Sequence, residues 1–106
     1  MARYLLDVSY TQAGVQGVMK EGGSSRRDAI AKLLADIGGT LETFDFALGP
    51  ADVVLIVDVP DQATMAALSM AVGASGAATV STRPLLSPEE IDRATQTSVG
   101  YRPPGA

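Results

Sequence analysis

Acidic side chains inside predicted strands are the residues of this sequence best suited to chemistry. The run "VVLIVDV" at residues 53–59 is apolar except for Asp58, and "RYLLDVSYT" at residues 3–11 holds Asp7 among residues that favour strands. Two carboxyl groups in one water-poor cavity can raise each other's pKa until one of them accepts protons near neutral pH. Proton transfer by a carboxylate base is therefore the first chemistry to weigh.

The absence of two residue types limits the kinds of chemistry available to this chain. The sequence contains neither cysteine nor histidine. Disulfides, thiol nucleophiles, the common zinc and iron ligand sets and the side chain that most easily moves protons near neutrality are therefore excluded. We predict no metal and no cofactor, and leave open whether the chain catalyses a reaction.

Size and charge limit the partners. The 106 residues are 46% hydrophobic and 19% charged, which is typical of one folded domain. A net charge of −4 provides no basic field for nucleic acid or anionic lipid. The apolar run at 53–59 is too short to span a bilayer, and "MARYLLDVSY" has an acid inside its apolar stretch, unlike a signal peptide. We expect a cytoplasmic protein with no nucleic-acid or membrane partner.

Strand and helix patterns alternate along the chain. Strands are predicted at residues 3–11, 40–48, 52–59 and 79–86, with Pro84 confining the last one to a sheet edge or a strand end. The stretch "QAGVQGVMKEGG" indicates only a weak helical turn broken by glycines. Two amphipathic helices follow from helical spacing, one through Ile30, Leu33, Leu34 and Ile37 and one through Met65, Leu68 and Val72.

Capping residues mark the starts of three helices. Ser25 with Asp28 resembles a capping box for the first amphipathic helix, and Asp61 is a candidate N-cap for the second. Ser87, followed by Pro88 and Glu90, predicts a short final helix.

The order βαββαβ with an added short C-terminal helix predicts a ferredoxin-like α+β sandwich, in which two helices cover one face of a four-stranded antiparallel sheet. We place this domain at residues 1–96 and a flexible tail at 97–106.

Three blocks of the sequence resemble the GYD domain family over residues 3–95. They are "SYTQAGVQG", "IGGTLETFDFALGPADVVLIVDVPD" and "ATVSTRPLLSPEE". Gly49 and Asp52 stand where the family has its named glycine and aspartate, whereas Ala51 stands in the place of the tyrosine. The resemblance implies a ferredoxin-like fold, similar to dimeric α/β-barrel proteins, with a biochemical role that is largely unassigned. Because Ala51 replaces the tyrosine, the resemblance implies no role for a tyrosine at this position.

The alternation of side chains along a strand assigns residues to two faces of the sheet. Tyr4, Leu6 and Val8, with Val53, Leu55, Val57 and Val59, are predicted to face the helices. The other side, which we call the open face, is predicted to receive Leu5, Asp7, Ser9, Thr43, Asp45, Val54, Ile56, Asp58, Thr79, Ser81 and Arg83. A partly apolar face left bare is commonly covered by a second subunit, so we expect a homo-oligomer, either a dimer or a trimer.

The candidate ligand-binding residues lie on or beside this face. The acids are either solvated or paired with Arg83 across strands, or they gather in a cavity with Arg83. Tyr10, at the end of the first strand, either lines a pocket mouth or packs under the first helix. "EGGSSRR", at 21–27, could hold an anion, although a helix break with its N-cap is the favoured interpretation. The candidates are Asp7, Tyr10, Asp45, Asp58, Ser81 and Arg83.

These observations favour a small oligomeric ligand-binding or interaction domain, with a pocket or a subunit interface on the open face. The alternative is a cofactor-independent isomerase, cyclase or oxygenase that uses a carboxylate base. A second alternative is a trimeric signalling module, in which a ligand orders the segment "GVMKEGGSS" at residues 17–25.

Overall fold

The computed structural model describes residues 2–106. Along these residues strands and helices alternate much as the sequence patterns predict. Their bounds are β1 (Ala2–Tyr10), α1 (Gln12–Glu21), α2 (Gly23–Asp36), β2 (Thr40–Phe46), β3 (Val53–Val59), α3 (Gln62–Ala74), β4 (Ala78–Pro84) and α4 (Pro88–Thr95).

The four strands form one antiparallel sheet in the order β2-β3-β1-β4. This order and the α+β composition confirm the predicted ferredoxin-like arrangement with an added C-terminal helix. Pro84 ends β4 at the sheet edge, as expected for a residue that cannot donate to a strand ladder. A β-bulge between Leu41 and Thr43 shifts the pairing of β2 with β3, so Leu41 and Phe44 both face the helices.

The hydrophobic core lies between the sheet and the helices. Tyr4 and Leu6 of β1 are buried, as are the alternate residues Val53, Leu55, Val57 and Val59 of β3, while Val8 is partly buried. Leu34 of α2 and Met65 and Leu68 of α3 cover them. The predicted set of helix-facing residues is therefore confirmed. Successive side chains of a strand point to opposite faces of the sheet, so the apolar side of each strand determines the face of all its residues.

The weak helical turn predicted after β1 is wrong, since α1 is a regular helix of ten residues. Thr11 caps it, because its hydroxyl accepts a hydrogen bond from the Gly14 amide at 3.2 Å. The Thr11 amide also donates to the Ala77 carbonyl at 2.9 Å, which ties the start of α1 to the loop before β4. These tertiary contacts outweigh the low helix propensity of its glycines.

The capping box predicted at Ser25 and Asp28 is also wrong, because both residues lie inside α2. Gly22 ends α1 and begins α2 without any side-chain cap, at a φ of 88° that favours glycine. The two helices therefore follow each other directly, and α2 starts earlier than the sequence pattern indicated.

The other two helix starts are as predicted. The Asp61 carboxylate accepts hydrogen bonds from the Thr64 amide and hydroxyl, each at 2.8 Å, and these bonds hold the pKa of Asp61 below its usual value. Ser87 and Glu90 form a reciprocal capping box, and the Ser87 amide likewise lowers the pKa of Glu90. Among residues 2–106 no helix is both long and apolar enough to cross a membrane.

Residues 87–106, which we call the C-terminal arm, extend away from the body of the domain. No residue of α4 is buried, and every hydrogen bond found for the arm stays within it. The radius of gyration is 17.0 Å, against about 13 Å for a compact domain of about 100 residues. The arm leaves Ile91, Val99 and Tyr101 exposed. The flexibility predicted for 97–106 stays a prediction.

Candidate functional site

A cavity of about 500 Å³ lies between the helices and the sheet. Its volume falls in the range of about 300–1,000 Å³ found for small-molecule sites. We call it the helix-side cavity. Its surface is mostly apolar and includes side chains of every layer, among them Val8, Phe44 and Leu55 of the sheet, Ile30 and Leu33 of α2, and Val72 of α3.

The helix-side cavity lies between helices that are spread across the sheet. α2 packs mainly on β2, and α3 packs mainly on β4, which leaves a gap between the two helices above the side chains of β1 and β3. The helices border this gap with small residues, Ala13 and Gly17 on α1 and Ala67 and Ala71 on α3. Short side chains leave the space unfilled.

Three polar side chains line the cavity where it meets solvent. Tyr10 ends β1, Glu21 ends α1, and Arg26 lies in the first turn of α2. The Arg26 Nη1 atom is 3.8 Å from Glu21 Oε1, and both side chains are about one-third exposed, at 35% and 38%. Burial raises the pKa of the Tyr10 phenol, and the charge and hydrogen bonding of Arg26 partly oppose that rise. Tyr10 is the only predicted candidate that lies at this cavity.

The raised pKa of Tyr10 predicts a loss of stability at high pH. The folded-state pKa of Tyr10 lies above the unfolded value of about 10. The contribution of the phenol to the free energy of unfolding is therefore complete below about pH 10 and is lost as the pH rises through the folded-state pKa. Urea unfolding of the parent and of Tyr10→Phe from pH 8 to pH 11 should therefore show the parent losing free energy of unfolding relative to the variant above about pH 10. Parallel pH profiles would contradict this assignment.

The open face carries the other predicted candidates, and it brings three of them together. Arg83 Nη2 donates to Asp7 Oδ2 at 2.7 Å, and Ser81 lies directly opposite Asp7 on β4. The expected pairing of an acid with Arg83 is thus found for Asp7. Because the Arg83 side chain is 63% exposed, this ion pair contributes little to stability.

The two remaining acids lie apart from this pair. Asp45 is exposed on β2, opposite Val54. Asp58 lies opposite Arg3 of β1 and Thr40 of β2, about 13 Å along the strand direction from Asp7. The Asp58 Oδ1 atom is buried and accepts no hydrogen bond from the described residues, which is costly for a carboxylate oxygen.

Apolar residues occupy the centre of the open face. Leu5, Val54 and Ile56 are half-buried, and Leu5 lies directly opposite Ile56. Beside them is a second, solvent-open recess of about 490 Å³ between Asp7, Ser81 and the β2–β3 hairpin. The sheet therefore separates two different surfaces, an apolar cavity that is partly open to solvent and a bare face with an apolar centre.

The family of the chain follows from a comparison with family models. A model described as the GYD domain matches residues 4–95. The chain belongs to the GYD domain family. Comparisons with curated proteins and with solved structures each returned no match.

The aspartate of the GYD motif has a structural role here. Asp52 Oδ2 accepts a hydrogen bond from the Tyr10 amide, and the Asp52 amide donates to the Val8 carbonyl, both at 2.8 Å. These bonds fasten the β2–β3 hairpin to the end of β1. Ala51, in the position of the motif tyrosine, lines the recess on the open face. The GYD motif thus fixes the backbone of Tyr10 at the helix-side cavity.

Sequence reasoning missed Glu21 as a site residue and gave Arg26 only a weak role within "EGGSSRR". Their meeting depends on α1 ending, and α2 beginning, at Gly22. The adjacent glycines Gly22 and Gly23 are the signal in the sequence that could have indicated a sharp turn between two helices, and the structure gives Gly22 a positive φ. Residues 2–106 contain no cluster of three or more metal-ligating side chains.

Proposed function

We propose that this GYD-family chain is a homo-oligomeric domain that binds a small, largely apolar molecule in the helix-side cavity. The observation that carries the proposal is the cavity itself, about 500 Å³ of space whose walls are mostly apolar side chains. A cleft of this size with mostly apolar walls is typical of a small-molecule site.

The open face is the surface proposed for self-association, and its occupant is a second copy of this chain. Leu5, Val54 and Ile56 form a central apolar patch that remains half-exposed in the single chain. The extended C-terminal arm, with Ile91, Val99 and Tyr101 exposed, supplies further apolar surface for a neighbouring subunit.

Binding without catalysis is favoured over the carboxylate-base alternative. Of the described residues that line the helix-side cavity, Glu21 is the only acid, and it faces Arg26 at the solvent end. The acids of the open face lie on the other side of the sheet. The signalling alternative depends on a loop at residues 17–25, whereas these residues belong to α1 and α2 on either side of Gly22.

Filling the cavity should weaken the binding of an apolar probe. In an Ala71→Trp variant the indole enters the cavity from α3, because Ala71 lines it and is exposed. We expect the neutral fluorescent probe 4-(1-pyrenyl)butanamide to bind the parent chain and to lose at least tenfold in affinity for Ala71→Trp.

The matched control is Ala66→Trp, which adds the same side chain to an exposed position of α3 outside the cavity lining. It should bind the probe as the parent does. Equal affinity of the parent and Ala71→Trp, or no binding to the parent at all, would refute the cavity as the ligand site.

A further inference from the structure

We infer that the ligand of the helix-side cavity is an amphipathic acid, whose carboxylate is held by Arg26 and Tyr10 while its apolar body fills the space over β1 and β3. This inference rests on the proposed function and adds the chemical class of the ligand. It follows from which polar groups of the cavity are free to bind.

The three hydroxyl groups that α3 and its C-cap residue Ser75 contribute to the lining are already engaged within the protein. The Thr64 hydroxyl donates to Asp61 at 2.8 Å, and the Ser75 hydroxyl donates to the Val72 carbonyl at 2.6 Å. The Ser69 hydroxyl is hydrogen-bonded to Thr82 at 3.2 Å. The α3 side of the cavity therefore offers a ligand mainly apolar contact.

Charge is confined to one end of the cavity. Of the described lining residues, Arg26 is the only cation and Glu21 the only acid. Their separation of 3.8 Å is beyond hydrogen-bond distance, and both side chains are partly exposed, so the pair is weak. A guanidinium group has five N–H donors in a planar fork that matches a carboxylate, and Glu21 accepts none of them at hydrogen-bond distance.

Tyr10 supplies a second donor beside Arg26. A phenol whose pKa is about 10 or higher is protonated at neutral pH, so the Tyr10 O–H can donate to an anionic oxygen. Its backbone is held by the hydrogen bond from the Tyr10 amide to Asp52. A phenol and a guanidinium group side by side can together bind both oxygens of one carboxylate. A ligand with a single carboxylate at one end therefore fits this cavity.

Glu21 opposes the same anion. Its carboxylate lies beside Arg26 and would repel, and compete with, the carboxylate of a ligand. Removing the charge of Glu21 should therefore strengthen the binding of an acid more than the binding of a neutral ligand. Loss of the charge of Arg26 should weaken the binding of an acid, whereas loss of the charge of Glu21 should strengthen it. An anionic ligand group beside both residues predicts these opposite effects.

The test compares two probes that differ only in the head group, 4-(1-pyrenyl)butanoate and its neutral amide, by fluorescence titration of the full chain. The acid should bind the parent at least tenfold more tightly than the amide. Arg26→Gln should remove this preference, Tyr10→Phe should reduce it, and Glu21→Gln should increase it severalfold, where the preference is the ratio of the two affinities measured for each variant.

Arg27→Gln is the matched control, since the Arg27 side chain is 54% exposed, pairs with Asp28 and does not line the cavity. It should retain the preference of the parent. If both probes bind the parent equally, or if Arg26→Gln keeps the preference for the acid, the amphipathic-acid proposal is wrong while the cavity proposal stands. If neither probe binds, both proposals are wrong.

Discussion

An Ile56→Asp variant is expected to be monomeric at concentrations at which the parent chain is assembled. Ile56 lies at the centre of the open face, opposite Leu5 on β1 and Thr43 on β2. An unpaired carboxylate there would be buried by a second subunit, at an effective cost of several kcal/mol per ion. We therefore expect the dissociation constant to rise by about 100-fold or more, which corresponds to about 2.7 kcal/mol.

Sedimentation equilibrium of the parent and the variant measures this effect directly. Met70→Asp is the control, because Met70 is a 73% exposed apolar residue on α3, outside the open face, and the change in charge is the same. It should assemble like the parent. A parent chain that stays monomeric, or an Ile56→Asp variant that assembles as the parent does, would contradict the open face as the interface.

Replacing either of two glycines of α1, Gly14 or Gly17, with alanine should have opposite effects on stability. A Cβ atom added at Gly14 would lie 2.1 Å from the Ala77 carbonyl oxygen, so the backbone of α1 or of the loop must move. Overpacking of this kind costs about 1–3 kcal/mol. At Gly17 an added Cβ meets nothing within 4 Å, and alanine favours a helix interior by up to about 1 kcal/mol over glycine.

Urea unfolding at one fixed protein concentration tests the pair, since the stability of an oligomer depends on concentration. Gly14→Ala should lower the free energy of unfolding, and Gly17→Ala should raise it. Stabilisation by Gly14→Ala would show that α1 does not approach the Ala77 loop as closely as described.

The faces of the sheet could be predicted because strand alternation is a local property. Once Leu6 and Leu55 are assigned to the core, their neighbours Asp7 and Ile56 must point the other way. The structure places all of them accordingly. The apparent anomaly of Asp58 in an apolar run has the same explanation, since Asp58 shares the open face with Val54 and Ile56.

The cavity could not be predicted, because it depends on how far apart α2 and α3 lie on the sheet. No periodicity in the sequence reports that distance. The contact between Glu21 and Arg26 could not be predicted either, because it depends on the turn at Gly22 and on α1. The glycines of α1 made its sequence untypical of a helix. Local patterns thus predicted the layers of the fold, whereas tertiary contacts determine the space between them.

The most direct test of the helix-side cavity is to locate a bound probe by intermolecular nuclear Overhauser effects. Adjacent residues of β3 face opposite sides of the sheet, Val53 and Leu55 toward the cavity and Val54 and Ile56 toward the open face. With methyl-labelled protein and 4-(1-pyrenyl)butanoate, we expect contacts from the pyrene protons to the methyl groups of Val53 and Leu55. Contacts to Val54 and Ile56 instead would place the ligand on the open face and contradict the proposed site.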